Sequence, residues 1–359
     1  ASAAARAAAA ASTHAARPRT RRMLPSPPPA AAHARDPAPV APPDAGAPHA
    51  GAPHAGAPDV DLGAEWVRHM RAGTWDGAWA VSDRVLARRA GATAWHLPRH
   101  EQWVWDGRPV DGRHVLVRCY HGLGDTLQFV RLVEPLAARA RRVSVWAQRE
   151  LVELVRTVPG VDQVLPLHDG APDVAADVDV EVMELPHLLR LRPEAIPGRV
   201  PYLHVEPAAP LAPGVRHVGL VWGVSGWDAW RTVPAEALAP LGEVPGVVLH
   251  VLQQGPARAH RPAGLGIESG SDTVAGLAAL MQRLDLVIAV DGMPAHLAGA
   301  LGRPVWTLLH ADANWRWMDG REDTPWYPTM RLFRQRRDEG WEPVIARVAG
   351  ALRALASGG

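Results

Sequence analysis

The chain has 359 residues, Lys+Arg 38, Asp+Glu 37 and a formal net charge of +1. Such a balance gives no support for a nucleic-acid binder, which carries a basic face. The single cysteine, Cys119, excludes an internal disulfide and a cysteine-based zinc site, and no apolar run approaches the roughly 20 residues of a membrane span.

The basic side chains are all arginine, and alanine and proline are abundant, a codon effect of a GC-rich genome. Residues 1–59 are Ala, Pro, Arg and His with almost no large apolar side chains. They cannot bury enough surface to offset chain entropy and read as a disordered tail. Ala-Gly-Ala-Pro-His recurs there at 45–49 and 50–54 as low complexity, not as a structural repeat. The arginine- and serine-bearing start superficially resembles a transit peptide without an apolar secretion segment, and Met23 is a candidate for the true start. The setting expected is cytoplasmic.

Residues 60–112 read as a helical pair and an irregular bridge. Leu62, Trp66 and Met70 suit a first helix, Gly73 to Gly77 break it, and Trp79, Val81, Val85, Leu86 and Arg88 suit a second. Such a pair resembles one helix-turn-helix repeat, too little to build a solenoid.

From His114 strand and helix alternate. Strands are expected over 114–120, 142–147, 163–166 and 178–184, with helices over 126–140, 149–158 and 186–191. Residues 193–213 hold Pro193, Pro197, Pro201, Pro207, Pro210 and Pro213, a linker. Alternation restarts with strands over 217–222, 247–252, 286–290 and 304–309 and helices over 234–241, 273–284 and 294–301. A last helix, 341–356, carries a stripe of Trp341, Val344, Ile345, Val348 and Leu352. The pattern implies an α/β fold of two Rossmann-like domains with parallel sheets, and ligands at the strands' carboxyl ends. The domain bounds expected are 113–205 and 214–340, followed by the helix in 341–359.

The turn His121-Gly-Leu-Gly-Asp125 joins the first strand to its helix. Glycines allow close backbone approach to a ligand, and a helix N-terminus offers free N–H groups to an anion. Asp125 and Thr126 sit where an N-cap belongs. The turn is neither a Walker loop, since no Gly-Lys-Ser/Thr follows, nor a complete Gly-x-Gly-x-x-Gly.

Six stretches in order carry a family resemblance: Gly122-Leu-Gly-Asp-Thr-Leu-Gln-Phe-Val-Arg131; Val158-Pro-Gly-Val-Asp162; Val218-Gly-Leu-Val-Trp222; Asp285-Leu-Val-Ile-Ala-Val-Asp291; His296-Leu-Ala-Gly-Ala-Leu-Gly-Arg-Pro-Val-Trp306; and Asn314-Trp-Arg-Trp317 with Gly320-Arg-Glu-Asp-Thr-Pro-Trp-Tyr-Pro328. Together they resemble glycosyltransferase family nine, the heptosyltransferase-like group, in the branch often found behind tetratricopeptide repeats. The likeness covers roughly residue 100 to the end. It implies a GT-B fold, acceptor on the N-terminal domain, nucleotide-sugar on the C-terminal one, and inversion without an obligatory metal or further cofactor.

On that resemblance Asp125 is the candidate general base for the acceptor hydroxyl, and an N-cap role competes. Gly122 and Gly124 would let acceptor or donor sugar approach the backbone, with His121 beside them. Val290-Asp-Gly-Met-Pro-Ala-His-Leu297 follows a strand and opens a helix, as a pyrophosphate cradle does. Asp291, Gly292, Met293 and His296 are assigned to the donor there, His296 to phosphate or ribose or else to a structural place in the helix. Gly292 stands where the family has Thr, and Pro294 removes an N–H. Arg231 is placed near the phosphates and Gln253 near the nucleotide, with a surface-loop place as the alternative for Gln253. Asp177-Val-Asp179 spells a metal-binding Asp-x-Asp by coincidence, and no metal site is expected. The tryptophans of 315–326 read as packing, and Ser225, Ser269 and Ser271 lack the partners of a nucleophilic triad.

The reading is an inverting, metal-independent glycosyltransferase with a nucleotide-sugar donor and a glycan, lipid-linked saccharide or protein acceptor. Its rivals are a GT-B sugar-nucleotide epimerase and a non-catalytic binding module that has lost the donor.

Overall fold

The computed structural model describes residues 61–224 and 229–358. The chain separates into two units, Ala1–Pro53 and His54–Gly359, and every described residue belongs to the second. The tail read over 1–59 lies outside the described residues.

Helix α1 (Leu62–Ala72) is capped by Asp61, which accepts from Ala64 N at 3.0 Å. Gly73 closes it at φ 77°, a left-handed conformation that favours glycine. Helix α2 (Trp75–Arg88) starts two residues later, so the break is shorter than expected and Gly77 lies inside the helix. A Cβ there would meet the His69 ring at 2.4 Å, so glycine lets the two helices approach closely. Met70, Trp75, Ala78, Trp79 and Val81 form the buried face.

Strands and helices then alternate: β1 (His114–Arg118), α3 (Leu123–Phe129), α4 (Val133–Ala137), β2 (Arg142–Ala147), α5 (Val152–Val155), β3 (Gln163–Pro166), β4 (Val178–Glu181) and α6 (Leu185–Leu188). The strands form one parallel sheet, ordered β3-β2-β1-β4. The second series is β5 (Arg216–Val221), α7 (Ala239–Gly242), β6 (Val247–Val251), β7 (Ile267–Glu268), α8 (Val274–Met281), β8 (Leu286–Val290), α9 (Met293–Ala300), β9 (Val305–Leu309), β10 (Met330–Arg334) and α10 (Trp341–Ser357). Its parallel sheet is ordered β10-β9-β8-β5-β6-β7. Val115–Val117 and all of β8 are buried, as strands covered on both faces by helices must be. The two α/β sheets are those of a GT-B fold.

Three expectations are corrected. The single helix over 126–140 is two helices joined by a 3₁₀ turn at Val130–Leu132. Pro135 lacks the N–H that an unbroken helix would donate to the Arg131 carbonyl, and its ring would crowd that turn. Strands β7 and β10 were missed. The first has two exposed residues, and the second, Met-Arg-Leu-Phe-Arg, follows a proline-rich turn. The linker over 193–213 is not a loose tether. Tyr202 and Leu203 are buried, Tyr202 N donates to Ala300 O at 3.1 Å, and the Tyr202 hydroxyl donates to Leu127 O at 2.7 Å.

That segment runs along α3 and α9, which pack against each other, and one hydrophobic cluster continues through both lobes. The α1–α2 hairpin fastens the same two lobes from outside. On the C-terminal side Arg71 grips Asp319 at 2.7 and 3.0 Å, Trp66 packs edge-on to Trp315 at 5.1 Å, and Trp75 meets Trp326 at 5.7 Å. On the N-terminal side Trp79 Nε1 donates to Leu191 O at 2.7 Å, and Asp83 pairs with Arg190 and His187 at 2.7 and 2.9 Å. Cys119 is fully buried, and burial pushes its thiol pKa far up, in keeping with an inert core residue. Among the described residues no helix is long and apolar enough to cross a membrane.

Candidate active site

The turn after β1 positions the first group of candidates. Gly122, with extended backbone at φ −65° and ψ 159°, is the N-cap of α3, and Asp125 is the third helical residue, not the cap. Its Oδ2 reaches back to accept from Gly122 N at 3.1 Å, the carboxylate half of a capping box. Its Oδ1 accepts from Arg316 Nη2 at 2.6 Å. Burial works against the charged carboxylate, but the Arg316 guanidinium outweighs it, with help from His296 and His121, and holds Asp125 below the usual range. His121 Nδ1 lies 3.0 Å from Glu181 Oε1. Burial lowers its pKa, yet Glu181 prevails, with Asp125 behind it, and the balance is raised. Glu181 is itself fixed by Tyr120 N at 3.1 Å and Met183 N at 2.6 Å. His121 is therefore oriented by an anchored carboxylate.

Gly124 turns out to serve the protein. A Cβ on it would meet His296 Cδ2 at 3.0 Å and the Met293 backbone at 3.5 Å, so its missing side chain lets the two strand–helix turns touch. A Cβ on Gly122 would meet Asp125 Oδ2 at 3.2 Å.

The second turn follows β8. Gly292 is the N-cap of α9, and its Cβ position lies 3.3 Å from Val224 Cγ1. The helix start is a poorer anion cradle than the sequence promises. Pro294 has no N–H, and the N–H groups of Ala295 and His296 turn back onto Gly292 O at 3.1 and 3.4 Å. Asp291 is buried. Arg231 Nη1 donates to its carbonyl at 2.8 Å and lies 3.6 Å from its Oδ2. Arg316 and Arg334 also feel the Asp291 charge, so arginines crowd one buried carboxylate.

His296 takes the structural place in its helix. It is 2% exposed, its Nδ1 shares a hydrogen bond with the Tyr327 hydroxyl at 3.0 Å, and its ring stacks on Trp317 at 5.4 Å. Burial, then Arg316, pushes its pKa down to about 3. Between that value and the ordinary imidazole value of about 6.5, the unfolded chain binds a proton that the folded chain does not. Stability therefore falls as pH drops through this window. In urea titrations from pH 6.5 to 4.5, His296→Gln should flatten the pH dependence by up to about 1.4 kcal/mol per unit; an unchanged slope would show that His296 is not the buried neutral group.

Gln253 is 3% exposed and fully engaged. Its Oε1 accepts from Trp222 N at 3.0 Å and Gly223 N at 2.8 Å, and its Nε2 donates to Gly223 O and Gln254 O at 3.1 and 2.7 Å. It shapes the loop after β5. Two hollows flank that loop: one of about 210 Å³ lined by Trp222, Thr232, Pro234, Glu236, Ala257 and His260, and one of about 190 Å³ lined by Gln253, Gln254, Arg258, Glu268 and Gly270. Each is smaller than the roughly 300–1,000 Å³ of a complete small-molecule site and suits part of a ligand. Asp177 and Asp179 are tied to His114 N at 2.8 Å and Arg118 Nε at 2.8 Å, a structural use of both carboxylates. Residues 225–228 of the loop before Arg231, Ser225 included, lie outside the described residues.

The sequence profile of glycosyltransferase family 9 (heptosyltransferase) matches residues 270–338, from before α8 through β10. Over those residues the chain is similar to glycosyltransferase family 9. The family 9 likeness extends to the fold: a glycosyl transferase family 9 structure from Veillonella parvula superposes with a TM-score of 0.52 at 12% identity, over 70% of this chain and 99% of that one. The E. coli ADP-heptose lipopolysaccharide heptosyltransferase II gives 0.46 at 15% identity, over 68% of this chain and 98% of that one. Protein FlbA of Caulobacter vibrioides is 29% identical over 294 residues, which is 70% of this chain and 48% of FlbA. The chain thus spans about half the length of that curated relative.

Asn314-Trp-Arg-Trp317 carries part of the family 9 resemblance, in which Arg316 has no assigned role. A charged residue between two tryptophans is the signal that marks it. Tyr327, which bonds His296, lies in the family-like stretch 320–328 without a role of its own, and Glu181, which faces His121, lies in an expected strand.

Proposed function

We propose that the chain transfers a sugar from a nucleotide-sugar donor to an acceptor hydroxyl, with inversion at the anomeric carbon and without a metal ion. The acceptor, a glycan, a lipid-linked saccharide or a protein, belongs to residues 113–205 and the donor to 214–340. The observation that carries this reading is the meeting of two turns: the carboxyl-end turn of one parallel sheet brings Asp125 to the carboxyl-end turn of the other, where Arg231 donates to the Asp291 carbonyl. Ligands of open α/β sheets bind at such ends.

In the proposed step the acceptor oxygen attacks the anomeric carbon while Asp125 takes its proton. The bond from that carbon to the diphosphate breaks, and the diphosphate leaves with the electron pair. Arg231 neutralises the charge that develops there. Pro294 removes one N–H from the α9 N-terminus, and the Arg231 guanidinium carries most of this work. An electrostatic supply of this kind is why no metal is invoked.

Binding of ADP and UDP by calorimetry, and sugar transfer in excess EDTA, test the reading. Arg231→Met should weaken nucleotide-diphosphate binding about 10- to 100-fold, the effect of losing a charge-assisted hydrogen bond of about 1.5–3 kcal/mol. The contact of Gly124 with Met293 and His296, and Pro294 in the helix start, favour the second reading, a binding module without a donor. Wild-type protein that binds neither nucleotide would decide for that second reading.

A further inference from the structure

The loop between β9 and β10 reaches across to the acceptor side through one side chain. Arg316 sits in the 3₁₀ turn Trp315–Trp317, and its side chain is 7% exposed. Each arm of its guanidinium has a separate partner. Nη2 donates to Asp125 Oδ1 at 2.6 Å and Nη1 to Gln128 Oε1 at 2.6 Å, both on α3. Nε donates to Asn314 Oδ1 at 3.0 Å, and the same Asn314 oxygen caps the turn from Arg316 N at 3.2 Å. The Arg316 carbonyl accepts from Trp326 Nε1 at 3.0 Å, and the guanidinium lies near the rings of Phe129 and Trp315, 5.6 and 5.7 Å from their centres. A planar fork held at every corner has a fixed direction, which a flexible ammonium would not.

We propose that Arg316 is the positioning residue for Asp125: anchored on Asn314 and Gln128, it fixes the orientation and charge state of the carboxylate that receives the acceptor proton. The proposal rests on the reading of Asp125 as that base. One Asp125 oxygen is bound by Arg316 and the other by Gly122 N. A carboxylate oxygen has room for a further hydrogen bond, so the acceptor hydroxyl can approach a base that does not swing. A base held so firmly in its ionised form is a weak one. It takes the proton late, once bond formation to the anomeric carbon has made the hydroxyl acidic. The other charged or titratable groups facing the pair are His121 with Glu181 from the N-terminal lobe, and Asp291, His296 and Tyr327 from the C-terminal lobe.

The test uses full-length Arg316→Met and Arg316→Lys. Carboxyl-carbon NMR, with Asp125 assigned by comparison with Asp125→Asn, follows the Asp125 titration directly. The expected result is a midpoint raised by at least one pH unit in Arg316→Met, with Arg316→Lys in between. The acid limb of kcat should move by the same amount, kcat should fall at least tenfold, and ADP and UDP affinity should stay within about threefold. A merely structural arginine would lower thermal stability and leave the titration midpoint and the acid limb where they are, and that outcome overturns the proposal. If Arg316→Met does not fold, the double variant Asp125→Asn/Arg316→Met decides. Recovery of a cooperative melt shows that the unpaired Asp125 charge was the fault, and failure to recover overturns the pairing. Wild-type protein that neither binds nucleotide nor transfers sugar overturns the glycosyltransferase reading itself, whereas an unmoved titration in an active enzyme overturns only the assignment of Arg316.

Discussion

Asp125→Asn is expected to lower kcat for sugar transfer by roughly 10²- to 10⁴-fold, the usual contribution of a positioned general base, with nucleotide-diphosphate affinity nearly unchanged. The competing account makes Asp125 a helix residue that happens to face the site, and magnitude separates the two. Losing the back-bond to Gly122 N costs about 0.5–2 kcal/mol of stability, as capping interactions do, and leaves the chemistry alone. Losing the base raises the barrier by about 2.7–5.4 kcal/mol. Asparagine keeps an oxygen for Gly122 N or Arg316 and so spares most of the local structure while removing the proton acceptor. The pH profile adds an independent check. Arg316 overcomes the cost of burial and holds the folded pKa of Asp125 below the usual carboxylate range. Asp125 therefore stays ionised at neutral pH, and the acid limb of kcat should lie below the ordinary aspartate value of about 3.9. Stability carries the same sign, since a depressed carboxylate pKa contributes stability that is present above the unfolded value and lost as pH falls through the folded one. A folded Asp125→Asn protein that transfers sugar at the wild-type rate would return Asp125 to the role of a capping residue.

The sheets and their helices were legible because their signals are local. The run Leu-Val-Ile-Ala-Val over 286–290 can only be a strand buried on both faces, and it is one. The stripe Trp341, Val344, Ile345, Val348 and Leu352 repeats with the helical period, and all five side chains are buried. The helix start at Leu123 was placed late because Asp125 looks like a cap from sequence, although a carboxylate at the third helical position makes the same backbone bond from inside the helix. Most of the site depends on contacts across long sequence separations, which no periodicity records. Arg316 meets Asp125 from 191 residues away. Gly124 looks like a ligand-approach glycine and becomes a contact glycine only when α9 is packed against it. Gln253 was matched to a nucleotide contact, yet the loop after β5 takes both ends of its amide. The hairpin had the same difficulty. Its apolar periodicity shows two helices but not the surface they cover.

Trp75→Ala should destabilise the whole described fold by about 3–5 kcal/mol, the range for removing a buried Trp or Phe side chain, and should do so in one cooperative urea transition. Trp75 is 1% exposed. Its ring packs against Trp79 at 6.1 Å and Trp326 at 5.7 Å, and its Nε1 donates to Met70 O at 3.1 Å. Trp75→Phe keeps most of the apolar contact and should cost clearly less. The loss should also reach the candidate site. Trp326 supplies the indole that fixes the Arg316 carbonyl and the carbonyl that Arg131 donates to, so a cavity beside Trp326 loosens the loop that aims Arg316 at Asp125. Transfer activity should then fall at temperatures where Trp75→Ala is still folded, while ADP and UDP binding, which the proposed function gives to Arg231, holds. A hairpin that were only an appended repeat would melt separately, and the variant would keep both the main transition and full activity. Because α1 and α2 are fastened to Leu191, Arg190 and His187 on one lobe and to Asp319, Trp315 and Trp326 on the other, their apolar face serves as the outer wall that holds both halves of the site in register.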